Sequence, residues 1–282
     1  MNCAWQAYLN LLPLWMRDDV DRIGRLNLQE LRMRIHRPPE LITGTKKAYL
    51  RNIVSNEDLL YSINAVSKFS PWACETISSG YITAAGGHRI GICGEVAIVD
   101  GKISTIKNIT SLCIRVARDF LGIGETTADI DGSILVIGSP GRGKSTLLRD
   151  IIRQKSKFGS VGVVDERREL FPVSGDEFCF SPGYATDILS GCRKSVGMQI
   201  LIRTMNPRWI AVDEITEIDD CQGIIQAAWC GVDLLATAHA ESIDDFLNRP
   251  VYKPLIANRI FKNIIVMQLD KSWTMERLTY EL

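Results

Sequence analysis

The sequence lacks most of the features that mark specialised protein classes. Lys plus Arg equals Asp plus Glu, at 33 each, so no global charge draws the chain onto nucleic acid. Histidine is scarce, with only His36, His88 and His239, and no Cys-x-x-Cys pair occurs; a zinc site is not expected. No apolar run approaches the roughly 20 residues of a membrane-spanning helix. The start lacks a basic segment followed by an apolar one, so no secretory leader is expected. Internal repeats and low-complexity segments are missing as well. These absences favour a cytoplasmic globular protein without a transmembrane segment of its own, which reaches a membrane only through a partner.

Eight cysteines are scattered at 3, 74, 93, 113, 179, 192, 221 and 230. Several lie in apolar runs, and all are expected to act as small buried hydrophobes in a reducing compartment. Residues 5–15 are apolar and hold two tryptophans. Pro13, and the lack of any Lys or Arg before Arg17, favour a packed N-terminal helix over an interfacial anchor.

Two textures divide the chain. Residues 1–120 mix short helical and strand-like segments and are expected to form a small α+β domain. Residues 28–34 alternate apolar and polar positions, as a strand does. Asn56-Glu57-Asp58 opens an amphipathic helix through Leu59, Leu60, Ile63 and Val66. Residues 81–83 and 89–92, bridged by Gly86-Gly87, suggest a hairpin, and 111–116 another strand. Residues 121–132 contain three glycines and are expected to be a linker. From 133 to 282 the pattern changes. Apolar runs at 134–137, 161–164, 209–212, 232–237 and 263–267 are separated by mostly helical stretches. This is the signature of an α/β fold with a mostly parallel sheet buried on both faces.

Gly138-Ser139-Pro140-Gly141-Arg142-Gly143-Lys144-Ser145 fits the pattern G-x-x-x-x-G-K-[ST], after an apolar strand and before a helix that continues from Thr146. In that context the backbone N–H groups and the helix N-terminus can cradle phosphate. Lys144, expected to face solvent, can reach the β- and γ-phosphates, and Ser145 can ligate Mg²⁺. The run Ile210-Ala211-Val212-Asp213-Glu214 delivers two acids at a strand end, as a Walker-B strand does for Mg²⁺, with Asp213 the candidate ligand. Val164-Asp165-Glu166-Arg167-Arg168-Glu169 ends another strand; its acids either polarise water or form a solvated charged loop. Thr237-Ala238-His239 ends a third, where His239 either senses the γ-phosphate or is structural. Lys144, Glu166, Glu214 and His239 are the candidate catalytic residues of a RecA/AAA-like ATPase using ATP and Mg²⁺.

In order along the chain, Arg142-Gly143-Lys144-Ser145-Thr146, Val164-Asp165-Glu166-Arg167, Ile202-Arg203-Thr204-Met205-Asn206-Pro207, Val212-Asp213-Glu214-Ile215 and Ala236-Thr237-Ala238-His239 occur together. With Gly86-Gly87-His88-Arg89-Ile90-Gly91-Ile92-Cys93-Gly94 and Ile114-Arg115-Val116-Ala117-Arg118 upstream, the chain resembles the stage III sporulation AA family, relatives of the type II and type IV secretion ATPases. The resemblance implies a cytosolic ATPase that forms a ring, a hexamer, at a secretion-like channel between mother cell and forespore. It implies an integral-membrane platform partner such as stage III sporulation protein AB. It places Asp165-Glu166 on an acidic box whose Glu activates water, and Thr237-Ala238-His239 on a His box. Three departures stand out. Asp213 replaces the Gly that usually precedes the Walker-B Glu, which leaves the Mg²⁺ ligand open between Asp213 and Glu214. The tetracysteine motif of many type II enzymes and the C-terminal nucleic-acid module of a related chloroplast family are both missing. Arg89 and Arg115 are candidates to reach a neighbour's γ-phosphate, or to form salt bridges within their own domain. A nucleic-acid-directed ATPase and a nucleotide-dependent scaffold are the alternative functions, although no nucleic acid is expected as partner.

Overall fold

Five runs that are apolar at nearly every position become five parallel strands with helices between them. The structure, a computed structural model, describes residues 1–44, 46–67, 80–174 and 177–279. It divides into two compact units.

The first unit comprises Met1–Asp119 and Pro172–Phe180. Its elements are α1 (Trp5–Asn10), α2 (Leu14–Ile23), β1 (Glu30–Arg34), β2 (Glu40–Thr43), β3 (Lys46–Tyr49), α3 (Asn56–Ser67), β4 (Tyr81–Thr83), β5 (Arg89–Val99) and β6 (Lys102–Arg115). The six strands form one antiparallel sheet in the order β3-β2-β1-β6-β5-β4. Period-two alternation sends Leu31 and Met33 inward, where they are fully buried with Ile90, Ile114, Leu59 and Met16. Each such side chain contributes about 1.5–3 kcal/mol by leaving water. The apolar N-terminal stretch packs as two helices rather than one, since Pro13 cannot continue the first; Tyr8, Leu9, Leu12 and Met16 lie in the core.

Arg115 Nε lies 3.4 Å from Glu30 Oε2, the Arg89 guanidinium sits 4.0 Å from the Tyr81 ring, and Arg118 donates to the carbonyls of Arg25 and Leu28. All three arginines thus have partners inside this unit.

His88 is fully buried against Tyr8. Its Nδ1 accepts the Ala117 N–H at 3.0 Å, which leaves the ring proton on Nε2, 2.9 Å from the Ala4 carbonyl oxygen. Burial is the main influence and lowers its pKa; the Ala4 hydrogen bond opposes this, and Arg118 adds to it. Below the ordinary value of 6.5 the unfolded chain takes up a proton that the folded ring resists. Stability is therefore complete above that pH and declines below it. Denaturant unfolding is expected to show stability falling as the pH drops from about 7.5 to about 5.5. His88→Gln, which keeps a donor and an acceptor but does not titrate, should remove that slope. An unchanged slope in the variant would contradict this role.

The second unit comprises Phe120–Phe171 and Ser181–Leu282. Its elements are β7 (Ile134–Ile137), α4 (Lys144–Lys155), β8 (Val161–Asp165), β11 (Thr186–Ser190), α5 (Lys194–Met205), β12 (Trp209–Ile215), α6 (Ile218–Trp229), β13 (Asp233–Ala238), α7 (Ile243–Asn248), α8 (Lys253–Ala257), β14 (Asn263–Met267) and β15 (Trp273–Arg277). Between β8 and β11, the short pair β9 (Val173–Ser174) and β10 (Glu177–Phe178) belongs to the first unit. The sheet runs β11-β8-β12-β13-β7-β14-β15, parallel except for β15. Leu135, Ile137, Val212, Leu234 and Ile264 are fully buried in its core.

Residues 121–132, expected as a linker, fold onto this unit. The Asp150 carboxylate on α4 accepts the N–H groups of Gly122 at 3.2 Å and Gly124 at 2.7 Å, and Lys155 Nζ donates to Ala128 and Ile130. The cysteines also depart in part from expectation. Cys221 is buried, but Cys93 and Cys230 are exposed, because their positions at a long hairpin and a helix end leave them outside the core. Cys74 lies outside the described residues.

Candidate nucleotide site

Strand β7 stops at Ile137, and the chain turns through Gly138, Ser139, Pro140, Gly141 and Arg142 before α4 begins at Lys144. Gly143 makes the junction at φ 96°, in the left-handed region that side chains avoid. No side chain caps α4, so its first N–H groups keep their capacity for an anion, with Ser145 and Thr146 half-buried on the first turn. Arg142 donates to the Met267 carbonyl at 3.1 Å, while its buried Nε has no hydrogen-bond partner among the described residues. An orphaned cationic donor beside an uncapped helix fits a phosphate group.

Lys144 is not solvent-facing, as its place in a glycine-rich loop suggested. Only 7% exposed, it folds back over its own turn and donates to Ser139 O at 3.1 Å and His239 Nδ1 at 3.2 Å. Burial, the largest effect, lowers its pKa, against the pull of the Asp213 and Glu214 charges. Because an ammonium only donates, His239 Nδ1 must accept, and the imidazole carries its proton on Nε2. That N–H donates to Glu214 Oε1 at 2.7 Å.

The end of β12 is irregular. Its register with β13 shifts between Val212 and Ile215, and Glu214 has φ 57°. Regular pleating would send successive side chains to opposite faces; the irregularity re-aims them. Asp213 Oδ1 accepts the Thr237 hydroxyl at 2.5 Å, and Thr237 Oγ1 accepts the Glu214 N–H at 2.8 Å. Glu214 Oε2 pairs with Arg167. Burial alone would raise the Glu214 carboxyl. The His239 hydrogen bond and the charges of Arg167 and Lys194 outweigh it and hold the group below the usual carboxylate range.

At the end of β8 two adjacent acids have different surroundings. Asp165 is buried and accepts the backbone N–H groups of Glu169, Leu170 and Phe171 at 2.8, 3.0 and 2.9 Å. Burial pushes its carboxyl up despite those bonds. It organises the loop. Glu166 is half-exposed in a cleft shared with Arg167, Lys194, Asp213 and Glu214, and its Oε2 receives Lys194 Nζ at 2.6 Å.

The fold therefore gathers Lys144, Asp213, Glu214 and His239 around the phosphate loop, with Glu166 in the adjoining cleft. Sequence reasoning missed Lys194 and gave Arg167 no role. Lys194 follows β11, Thr186–Ser190, whose mixed Thr-Asp-Ile-Leu-Ser composition hides the strand that positions it.

Residues 9–281 match the family described as sporulation stage III, protein AA. The chain belongs to that family. It is 33% identical over 276 residues to stage III sporulation protein AA of Bacillus subtilis (strain 168), covering 93% of this chain and 90% of that protein. Among solved structures it is similar to the pilus retraction motor PilT, solved with bound ADP, at 11% identity and TM-score 0.59, covering 94% of this chain and 83% of the other. It is likewise similar to the ATPase DotB of Legionella pneumophila, at 16% identity and TM-score 0.57, covering 94% and 79%. For this stage III AA family member those likenesses give the fold alone: a RecA-like α/β unit with a mostly parallel sheet. No helix among the described residues is long and apolar enough to cross a membrane.

Proposed function

We propose that this family member is a Mg²⁺-dependent ATPase that drives a sporulation-associated secretion or channel complex between mother cell and forespore. One observation carries the reading. The carboxyl ends of β7, β8, β12 and β13 converge on an uncapped helix N-terminus, a lysine and three acids, at the edge where open α/β sheets bind ligands. PilT, which shares the fold, was solved with ADP, and this supports a nucleotide here.

The backbone from Gly138 through Thr146 holds the phosphates, and Lys144 neutralises their charge. Ser145 and Asp213 would hold Mg²⁺, which takes one or two protein oxygens beside phosphate and neutralises charge there when bound. Glu166 takes the proton of the attacking water. Glu214, engaged by His239 and Arg167, instead orients His239, whose Nδ1 accepts from Lys144. The chain assembles as a ring, a hexamer, on an integral-membrane platform such as stage III sporulation protein AB. Steady-state phosphate release with and without that platform protein in detergent, alongside mass measurement of the assembly, tests the motor reading. Faster release and a ring are expected. A monomer whose rate ignores the platform protein would contradict it.

A further inference from the structure

We infer that Lys194 is a positioning residue for this hydrolysis: it fixes the Glu166 carboxylate in the cleft and anchors it to the helix that follows β12. The inference rests on the ATPase reading above.

Lys194 is the first residue of α5 and is only 5% exposed. Both placements are unfavourable for a lysine. A cation at a helix N-terminus opposes the helix dipole. A buried ammonium loses its hydration and must be paired. A residue that breaks two local preferences at once marks a place where the requirements of a site override helix stability.

The two acids it meets have unequal need of it. Asp220 Oδ2, 3.4 Å from Nζ, already accepts the N–H groups of Thr216 at 3.0 Å and Glu217 at 3.2 Å. It also completes a capping box with Glu217 at the start of α6. Glu166 receives the shorter contact, 2.6 Å, and its side chain projects from the loop after β8 with a third of its surface exposed. Asp220 is thus a fixed anchor, and Glu166 is the group being held.

The backbone makes Lys194 a rigid post. A Cβ on Gly223 of α6 would lie 2.6 Å from Met198 Cε and 2.9 Å from Ser195 Cα, so only glycine lets α6 approach α5 this closely. A Cβ on Gly197 would lie 2.5 Å from Val164 Cγ1, so α5 sits equally close on β8. Lys194 and Asp220 therefore project from helices packed together without slack, beside the loop after β8 that carries Glu166. A general base on a flexible side chain gains from such restraint, because misplacement by about 1 Å can cost on the order of 10²-fold in rate.

The test combines Lys194→Met, which keeps the length of the side chain without its charge, with Glu166→Gln. In the natural background Lys194→Met should lower kcat by roughly 10- to 100-fold with KM for ATP unchanged. In the Glu166→Gln background, read by single-turnover hydrolysis, it should cause no further loss, since a residue acting through another has no effect once that other is gone. A merely structural lysine would cause equal losses in both backgrounds. That result, or a change confined to KM, overturns the inference. If Lys194→Met does not fold, Lys194→Arg carries the test. Its wider planar head displaces the carboxylate, so kcat should fall in the natural background alone, and an unchanged kcat there overturns the inference. A protein that loses turnover with Lys144→Ala and Glu166→Gln but keeps it with Lys194→Met overturns the role of Lys194 and leaves the ATPase reading intact. A natural chain without turnover overturns both.

Discussion

Lys144→Ala is expected to lower ATP hydrolysis by at least about 10²–10³-fold and to weaken ATP binding, in a protein that still folds. The lysine is the cation whose Nζ lies at the turn of the phosphate loop, 3.1 Å from Ser139 O. Truncation removes the charge that offsets phosphate. The effect on the fold is limited for a specific reason. The Ser139 carbonyl and His239 Nδ1 both lose a donor, but both are neutral acceptors beside the cleft that water can reach. Burial of the ammonium, which lowers its pKa, is relieved at the same time. The net change in stability should stay within about 1–2 kcal/mol. Phosphate release and thermal unfolding, measured together, check both parts. Normal turnover in a folded variant would remove the phosphate loop from the mechanism.

Glu166→Gln should slow hydrolysis by about 10²–10⁴-fold while ATP binding persists, as for loss of a general base. Glu214→Gln should also slow turnover, but with weaker ATP binding. Its carboxylate holds His239 Nε2, and His239 in turn meets Lys144, so the change reaches the phosphate loop. The two acids are therefore separable by measuring ATP affinity and single-turnover rate in each variant. If neither rate falls, both acids serve the fold and the proton must leave by another route.

Five of the six parallel strands could be read in the sequence because burial on both faces forces an unbroken apolar run. The phosphate loop could be read because its glycines and its lysine satisfy a local geometric demand. In that sheet the strands that escaped notice are the two at its edges. β11 and β15 keep one side toward solvent, so Thr186-Asp187 and Glu276-Arg277 are tolerated there and no periodic signal survives. The glycines of residues 121–132 suggest freedom, yet Asp150, 26 residues beyond Gly124, pins their N–H groups. A contact of that range leaves no trace in a local pattern. Asp165 and Glu166 look alike in sequence; only the three backbone donors around the first, and the lysine beside the second, separate a loop organiser from a candidate base. Lys194 was missed for the same reason: its two acids come from residues 166 and 220.

The most direct test of an ATPase at this site is steady-state phosphate release by the purified chain as a function of ATP concentration, with Mg²⁺ present and then chelated. Saturable release that disappears on chelation and in Lys144→Ala is expected. Release that is absent in the natural chain at every ATP concentration, or equal in the natural and Lys144→Ala chains, would contradict it.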